Sequence, residues 1–321
     1  MTPRHARSGF TLVELLVATG ILLILAGLSV GVISVALEGD RVPSSARQVQ
    51  SYLEGARDRA IFAQENRGVR FLRSETRPNE VVSMIYIGSA GEFTGTAQYD
   101  DLMGAEDVLT QEDTGQTWTD LWNRGLLVNG SSVKVASGIR YQIHDDTFDT
   151  MTYPGQYIDR SPPRIKLARD WIGAVDPDPS MDAIGNGLAN QGYTLELAPV
   201  PLADEEVVSL PQGTVIDVQQ SQLPLFWQTF PGARMEVLFS PHGTVTGSTT
   251  ASGLLHFVIA DTRDTELGRA VGDPTKQGEE LIVTLFTRTG LIETSPVDTT
   301  DVSAPPGADD PFNFAETGAS E

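Results

Sequence analysis

The sequence predicts an α+β protein, a long N-terminal helix with a membrane-spanning first half, packed on an antiparallel β-sheet head. Three observations predict it. Residues 15–37 contain no charged side chain. Ala46, Val49, Leu53, Ala56, Ala60 and Ala63 then recur at three- and four-residue spacing, the period of a helix with one narrow apolar stripe. From Val69 onward, β-branched runs succeed one another with turn residues between them and no helical periods. That order favours antiparallel pairing over a parallel βαβ sheet.

The uncharged run reads LLVATGILLILAGLSVGVISVAL, and a helix rising ~1.5 Å per residue carries it across a hydrocarbon core of ~30 Å. Arg4 and Arg7 precede the run, while Glu38 and Asp40 follow it. Basic residues mark the cytoplasmic flank of a span, so the N-terminus is expected in the cytoplasm and residues 38–321 outside it. Glu14 stands at the head of the run, behind Phe10-Thr11-Leu12-Val13. A carboxylate at bilayer depth is costly, and the positive end of the helix dipole softens that cost in a first turn. Position alone is equally consistent with an acid that snorkels to the interface.

The neighbouring residues point to a specific task. Ser8-Gly9-Phe10-Thr11-Leu12-Val13-Glu14-Leu15-Leu16, behind a short basic leader, resembles the processing site of type IV pilins and of the pseudopilins of type II secretion. The resemblance is local, roughly residues 7–30, and needs the leader, the Gly–Phe junction, the acid and the unbroken apolar helix together. It implies that a prepilin peptidase cuts between Gly9 and Phe10, that Phe10 becomes N-methylated, and that Glu14 is needed for assembly. It further implies that Glu14 of an incoming subunit pairs with the N-terminal amine of a neighbour. A buried carboxylate prefers a cationic partner, so such a pair relieves Glu14 only in the correct axial register. The implied partners are other pseudopilins in a filament, the prepilin peptidase, an inner-membrane assembly platform and membrane lipid, with no nucleic acid. The implied location is the inner membrane, single-pass, with the N-terminus cytoplasmic and the head periplasmic. A rival reading is a secretory signal peptide, because Ser34-Val35-Ala36 satisfies the small-x-small rule and cleavage there leaves a chain starting at Leu37. Against it stand an apolar run longer than the usual ~7–15 residues and the acid within it.

The expected organisation is a leader over residues 1–9, a transmembrane helix over 10–38, an amphipathic helix over 39–67, a β-rich head over 68–296 and a flexible acidic tail over 297–321. Pro43 suits a kink or a first turn, Ser45-Ala46-Arg47-Gln48 has the form of a capping box, and Asn66-Arg67-Gly68 is a plausible stop. Strands are expected at Val69–Phe71, Val81–Ile87, Val133–Ile143, Tyr193–Leu197, Val207–Val218, Met235–Phe239, Leu254–Ile259 and Leu281–Thr287. Phe239-Ser240-Pro241-His242-Gly243, followed by a strand, by Leu281–Phe286 and by Thr289-Gly290-Leu291-Ile292, resembles the end of the minor pseudopilin type H domain. Leu210-Pro211-Gln212-Gly213-Thr214-Val215 sits where that domain often begins a strand. Residues at about 89–132 and 144–192 look like insertions relative to a compact head of this kind. The tail is rich in Pro, Asp, Ala and Gly, a composition that buries little.

Composition excludes several chemistries. The chain of 321 residues carries 22 Lys and Arg against 43 Asp and Glu, formally −21, which disfavours a phosphate-backbone partner. It has no cysteine, so a disulfide framework, a thiolate nucleophile and a cysteine metal site are ruled out. Its four histidines, His5, His144, His242 and His256, are scattered. Asp176, Asp178 and Asp182 alternate oxygen ligands as calcium loops do, but lack the glycine and the final acidic ligand of an EF-hand, so a solvated acidic loop is favoured over a calcium site. His144-Asp145-Asp146 is accompanied by no GxSxG, HExxH or Walker motif and reads as a polar turn after a strand. Arg57, Arg59, Arg67, Arg70, Arg73 and Arg77 form a basic concentration interleaved with Asp58, Glu65 and Glu75, which points to local ion pairs or an acidic neighbouring subunit. The function expected is structural rather than enzymatic: a minor pseudopilin, with a minor type IV pilin or a secreted binding protein as alternatives.

Overall fold

A computed structural model describes residues 12–39 (26–39 as backbone), 41–102, 106–112, 117–128, 131–136, 138, 140–168, 191–229, 234–247, 249–276, 278–298 and 310–317. Helix α1 runs Leu12–Gly39 and α2 runs Arg41–Ala63. Among the described residues no helix is long and apolar enough to cross a membrane. The described apolar side chains, Leu12 to Leu25, cover about 20 Å at ~1.5 Å per residue, short of a ~30 Å core. The span expected over 10–38 is therefore not found among the described side chains.

The stripe expected on the second helix is buried at Ala46, Val49, Leu53, Ala56 and Ala60, joined by Val42, Ser45 and Tyr52. Both ends of the helix differ from expectation. It starts at Arg41 with Pro43 in its first turn, where a missing N–H costs nothing. Ser45 is thus inside the helix, and its hydroxyl meets Thr214 Oγ1 at 2.5 Å instead of capping. Gln48 likewise reaches outward, donating to the Ser209 carbonyl at 3.1 Å. At the other end Ala63 is already exposed, and Gln64 takes a left-handed conformation (φ 53°) ahead of the expected stop.

After α2 come β1 (Arg67–Arg73) and β2 (Glu80–Gly88), an antiparallel pair in which Gly68 faces Ile87. The chain then leaves the head to build the two stretches expected as insertions, and these prove to be one folded unit. Strands β3 (Glu92–Leu102), β4 (Glu106–Gln111), β5 (Ser132–Val135), β6 (Arg140–Ile143), β7 (Arg164–Ala168) and β8 (Gln191–Glu196) close a barrel in the order β3-β4-β7-β6-β5-β8. A short helix α3 (Thr117–Asn123) joins β4 to the rest. The single strand expected over Val133–Ile143 is the β5–β6 hairpin, with Val133 opposite Tyr141.

The barrel has its own core. Trp118, Leu127, Val133, Ile143, Ile158 and Leu195 are buried there, apart from the cluster under α2. Trp118 Nε1 donates to Tyr193 Oη at 2.7 Å, so the indole N–H is not left unpaired inside. The facing position on β3 is Gly95, where a Cβ would stand 2.6 Å from that same hydroxyl. The two connections to the head lie side by side. Gly88 faces Val200 and Ile87 faces Pro201, while Glu92 faces Glu196 just beyond.

From there β9 (Val200–Pro201), β10 (Val208–Ser209) and β11 (Thr214–Gln222) pair in turn along β2. The run expected as one strand over Val207–Val218 is broken because Pro211 has no N–H for a ladder and Gly213 is left-handed. Helix α4 (Leu225–Thr229), β12 (Met235–Phe239), β13 (Val245–Thr246), β14 (Leu254–Asp261), helix α5 (Thr262–Glu266), β15 (Leu281–Phe286) and β16 (Leu291–Pro296) complete the head. The sheet has ten strands, ordered β13-β12-β1-β2-β11-β14-β15-β16 with β9 and β10 beside β2. One face carries α2. Phe71, Met84, Phe239 and Phe257 meet its small residues in the main core.

The stretch expected as a flexible tail is described at 297–298 and 310–317, and both pieces are packed. Val297, Phe312 and Ala315 are buried with Val258 and Ile282, and helix α6 (Asn313–Thr317) lies beside β16. Three apolar side chains within a polar stretch were enough to dock it, a pairing that composition averages away.

Two outcomes test this architecture. Joining Gly88 to Val200 through an Asn-Gly turn, with the barrel removed, should leave a cooperative thermal transition by circular dichroism, because the cut ends are already strand neighbours. Loss of cooperativity would mean that the barrel is part of the head's core. Gly290 has φ 69°, and a Cβ there would lie 1.9 Å from the Gly243 carbonyl oxygen, backbone that has little room to give. Gly290→Ala should therefore lower stability by about 2 kcal/mol or more in urea titration.

Candidate assembly site

Over Leu12–Leu25 the first helix is apolar apart from Glu14 and Thr19. Its described side chains, Leu12 to Leu25, are exposed, Leu12 at 80% and Leu23 at 70%, so no face of that stretch is covered by the head. A helix with no polar face belongs in lipid or among other helices rather than in water. Thr19 is compatible with either, because its hydroxyl bonds back to the Leu15 and Leu16 carbonyls, each at 3.0 Å. Glu14 is an exposed acid in the first turn. There the unpaired backbone N–H groups of the helix start favour negative charge. Gly9 and Phe10 lie outside the described residues, as do Asp176, Asp178 and Asp182.

The basic concentration is spent on holding the head together. Arg57 reaches Asp58 at 3.7 Å and donates to the Gly290 carbonyl at 2.9 Å, while Arg67 pairs with Glu65 at 2.6 Å. Other partners are a mixture of near and remote in sequence. Arg59 pairs with Glu205, Arg77 with Glu266 and with Glu80 (3.0 Å), and Arg73 donates to the carbonyls of Pro78 (2.9 Å) and Trp227. Arg70 faces Glu236 across β1 and β12, paired at 2.6 Å with both side chains largely buried. Its second donor reaches the Pro199 carbonyl at 2.7 Å, where the barrel rejoins the head. Burial pushes the Glu236 carboxyl above its usual range, and Arg70 pulls it back.

Sequence reasoning missed the aromatic clamp on α2. Tyr52 stacks on Tyr86 of β2 with ring centroids 3.9 Å apart, and the Arg59 guanidinium lies 3.9 Å over the Tyr86 ring. Burial, then the neighbouring Tyr86 and Glu205, push the Tyr52 hydroxyl up to about 12. Beside the clamp an open groove of about 640 Å³ is bounded by Arg59, Phe62, Arg67, Leu202 and Glu205. Phe62 is 93% exposed because it falls off the Ala56–Ala60 stripe, the one signal that the sequence held.

The two glycine turns that carry the type H resemblance meet at this end of the helix. The turn Ser240–Thr244 closes with Ser240 N–H donating to the Thr244 carbonyl at 2.8 Å, and its Gly243 touches Gly290. His144 is the cap of a short 3₁₀ turn: its Nδ1 accepts from Asp146 N–H at 3.1 Å. Lys166 holds Asp146 at 2.7 Å. That is the polar turn expected. Among the described residues no three His, Asp or Glu side chains are grouped to hold a metal ion.

Arg70→Met strands a buried carboxylate, so it should cost about 3–5 kcal/mol, and the double change with Glu236→Leu should restore most of it. The sign with pH follows from the upward shift of Glu236. A carboxyl raised in the folded state contributes stability below its unfolded pKa and loses it as pH rises through the folded value. Without Arg70 that shift grows, so the deficit in urea titration should shrink on acidification from pH ~7 towards ~4.5.

Residues 4–30, which contain Gly9, Phe10 and Glu14, match the family model for the Prokaryotic N-terminal methylation motif. No curated protein matches the chain. A motif of this kind implies processing by a prepilin peptidase, a membrane-anchored N-terminus and assembly into pilin-like filaments. The match fits a type IV pilin-like protein or pseudopilin, and it lies at the head of a helix whose described apolar side chains, Leu12 to Leu25, are exposed.

Proposed function

We propose that this chain is a minor pseudopilin, a structural subunit of a type II secretion pseudopilus that initiates or caps the filament or touches secretion substrates. The observation that carries the proposal is the methylation motif at the start of an apolar helix whose described side chains, Leu12 to Leu25, the head does not cover. In this reading the peptidase cuts after Gly9, Phe10 becomes the methylated first residue, and the uncharged run anchors the subunit in the inner membrane with the head outside. Glu14 then pairs with the amine of a neighbouring Phe10, which fixes axial register. The contact between the Gly243 and Gly290 turns supports reading the two type H-like segments as one unit. The role is structural, without catalysis or a bound cofactor, and without nucleic acid.

The barrel favours one second reading. A β domain carried on two adjacent strands is suited to display, as a minor type IV pilin for adhesion, motility or DNA uptake would use it. Gene neighbourhood separates the two, since secretion and pilus operons differ in outer-membrane and motor components.

Intact-mass analysis of membrane-extracted protein should show loss of residues 1–9 and gain of one methyl group. A chain starting at Leu37 would establish a signal peptide instead. Glu14→Ala should leave insertion and processing intact, because it makes the helix more apolar, yet reduce crosslinking into filaments beside wild-type subunits. Normal incorporation would sink the register role. DNA binding should be negligible at physiological salt, and tight salt-sensitive binding would favour an uptake pilin.

A further inference from the structure

The sheet face that α2 leaves uncovered is closed, over β14 and β15, by residues 310–317. Phe312 and Ala315 are buried there with Val258, Ile282 and Val297, in a cluster separate from the main core. The segment is fastened at its start. Asp298 N–H donates to the Pro311 carbonyl at 3.1 Å, and Asn313 Nδ2 donates to Asp298 Oδ2 at 3.0 Å. Other bonds of the segment are internal, as when Thr317 Oγ1 donates to the Asn313 carbonyl at 2.8 Å.

Beneath the segment lies a histidine with no solvent contact. His256 is 0% exposed, and the Phe312 ring covers it with centroids 5.0 Å apart. Its Nδ1 shares a hydrogen bond with Thr284 Oγ1 at 2.8 Å. Its Nε2 is buried without a hydrogen-bond partner among the described residues, and Glu316 Oε1 is 3.8 Å away, beyond hydrogen-bond reach. Titratable groups stand on the ring's side of the sheet on three elements: Glu316 and Asp310 of the segment with Asp298 that fastens it, Glu293 of β16, which shares a face with Thr284, and Asp217 of β11, opposite Val258. β11 contributes the neutral Gln222 opposite His256. A neutral imidazole suits this site. An imidazolium would present a second N–H whose nearest acceptor among the described residues, Glu316 Oε1, stands beyond hydrogen-bond distance.

We propose that residues 310–317 form a proton-gated latch, closed over a neutral His256 and released when its imidazole takes up a proton. Burial holds the ring below the ordinary histidine pKa, with Asp310 pulling the other way. A group with a lowered pKa in the closed state favours closure fully above its free value, ~6.5, and less as pH falls below it. Acid therefore opens the latch and uncovers Val258, Ile282 and Val297. The main core lies on the other face, so opening is local.

The chain has no cysteine, which makes a single introduced thiol a clean reporter. In the full chain in detergent micelles, the alkylation rate of Ala315→Cys reports opening. Met151→Cys, at a side chain 94% exposed, supplies the reference for thiol chemistry at each pH. Between pH ~8 and ~5.5 the ratio of the two rates should rise about tenfold. In His256→Gln, which keeps a partner for Thr284, and in His256→Phe, which packs against Phe312, the ratio should no longer change with pH. Should one variant fail to fold, the other carries the comparison. A ratio that is flat in the His256 chain overturns the latch. So does one that falls on acidification, which would mean that Glu316 captures the imidazolium. A rise that persists in either folded variant belongs to one of the carboxyls, Glu316, Asp310, Asp298, Glu293 or Asp217, and overturns the assignment to His256.

Discussion

The seating of α2 on the ten-stranded sheet is the contact on which the rest of the head depends. Ala46, Ala56 and Ala60 bring the helix backbone close, and Val49 and Leu53 fill the space between Phe71, Met84 and Phe257. Each large apolar side chain buried this way contributes about 1.5–3 kcal/mol. The helix is also fastened along its length. Ser45 meets Thr214 near its start, Tyr52 stacks on Tyr86 midway, and Arg57 reaches the Gly290 carbonyl near its end. A load on the N-terminal helix is thus spread over β11, β2 and the β15–β16 turn rather than borne by one strand. That suits a subunit held in an assembly by its stalk.

The barrel shows how a large insertion is tolerated without disturbing that seating. It leaves and rejoins the sheet at Gly88 and Val200, which are already paired, so β2 keeps its register with β1 on its other side. Its core is filled by its own side chains around the Trp118–Tyr193 hydrogen bond. Beyond the two connections, Arg70 donates to Pro199 and Arg234 Nη1 donates to the Gly125 carbonyl at 3.1 Å, so the link is polar and narrow. Two hydrophobic cores joined by paired strands are expected to unfold as separate units.

Charge is used differently at the two ends of the chain. In the head, the arginines between Arg57 and Arg77 are drawn into pairs with Glu205, Glu236 and Glu266, so the basic stretch is largely structural. Glu14 stands instead in the first turn of the apolar N-terminal helix, where the helix dipole favours negative charge.

The sequence by itself determined the long N-terminal helix, the buried stripe from Ala46 to Ala60, the antiparallel order of the head and the motif over residues 4–30. These are local properties, written in the spacing of apolar side chains or in adjacent residues. The barrel was not legible in the same way. The facing positions on β3 include Gly95 and Ala97, kept small beneath Tyr193, so its alternation is faint, and the aromatic ring that completes it comes from β8. The pairing of Arg59, Arg70 and Arg77 with Glu205, Glu236 and Glu266 was equally hidden, because these acids lie more than a hundred residues away in the chain. The same holds for the C-terminal segment, which reads as polar and mobile until β14 and β15 present Val258, Ile282 and His256 to it. Spacing along one element fixes which face is buried. Only the folded sheet decides what that face meets, since contacts between distant segments depend on register and on crossing strands that no local pattern encodes.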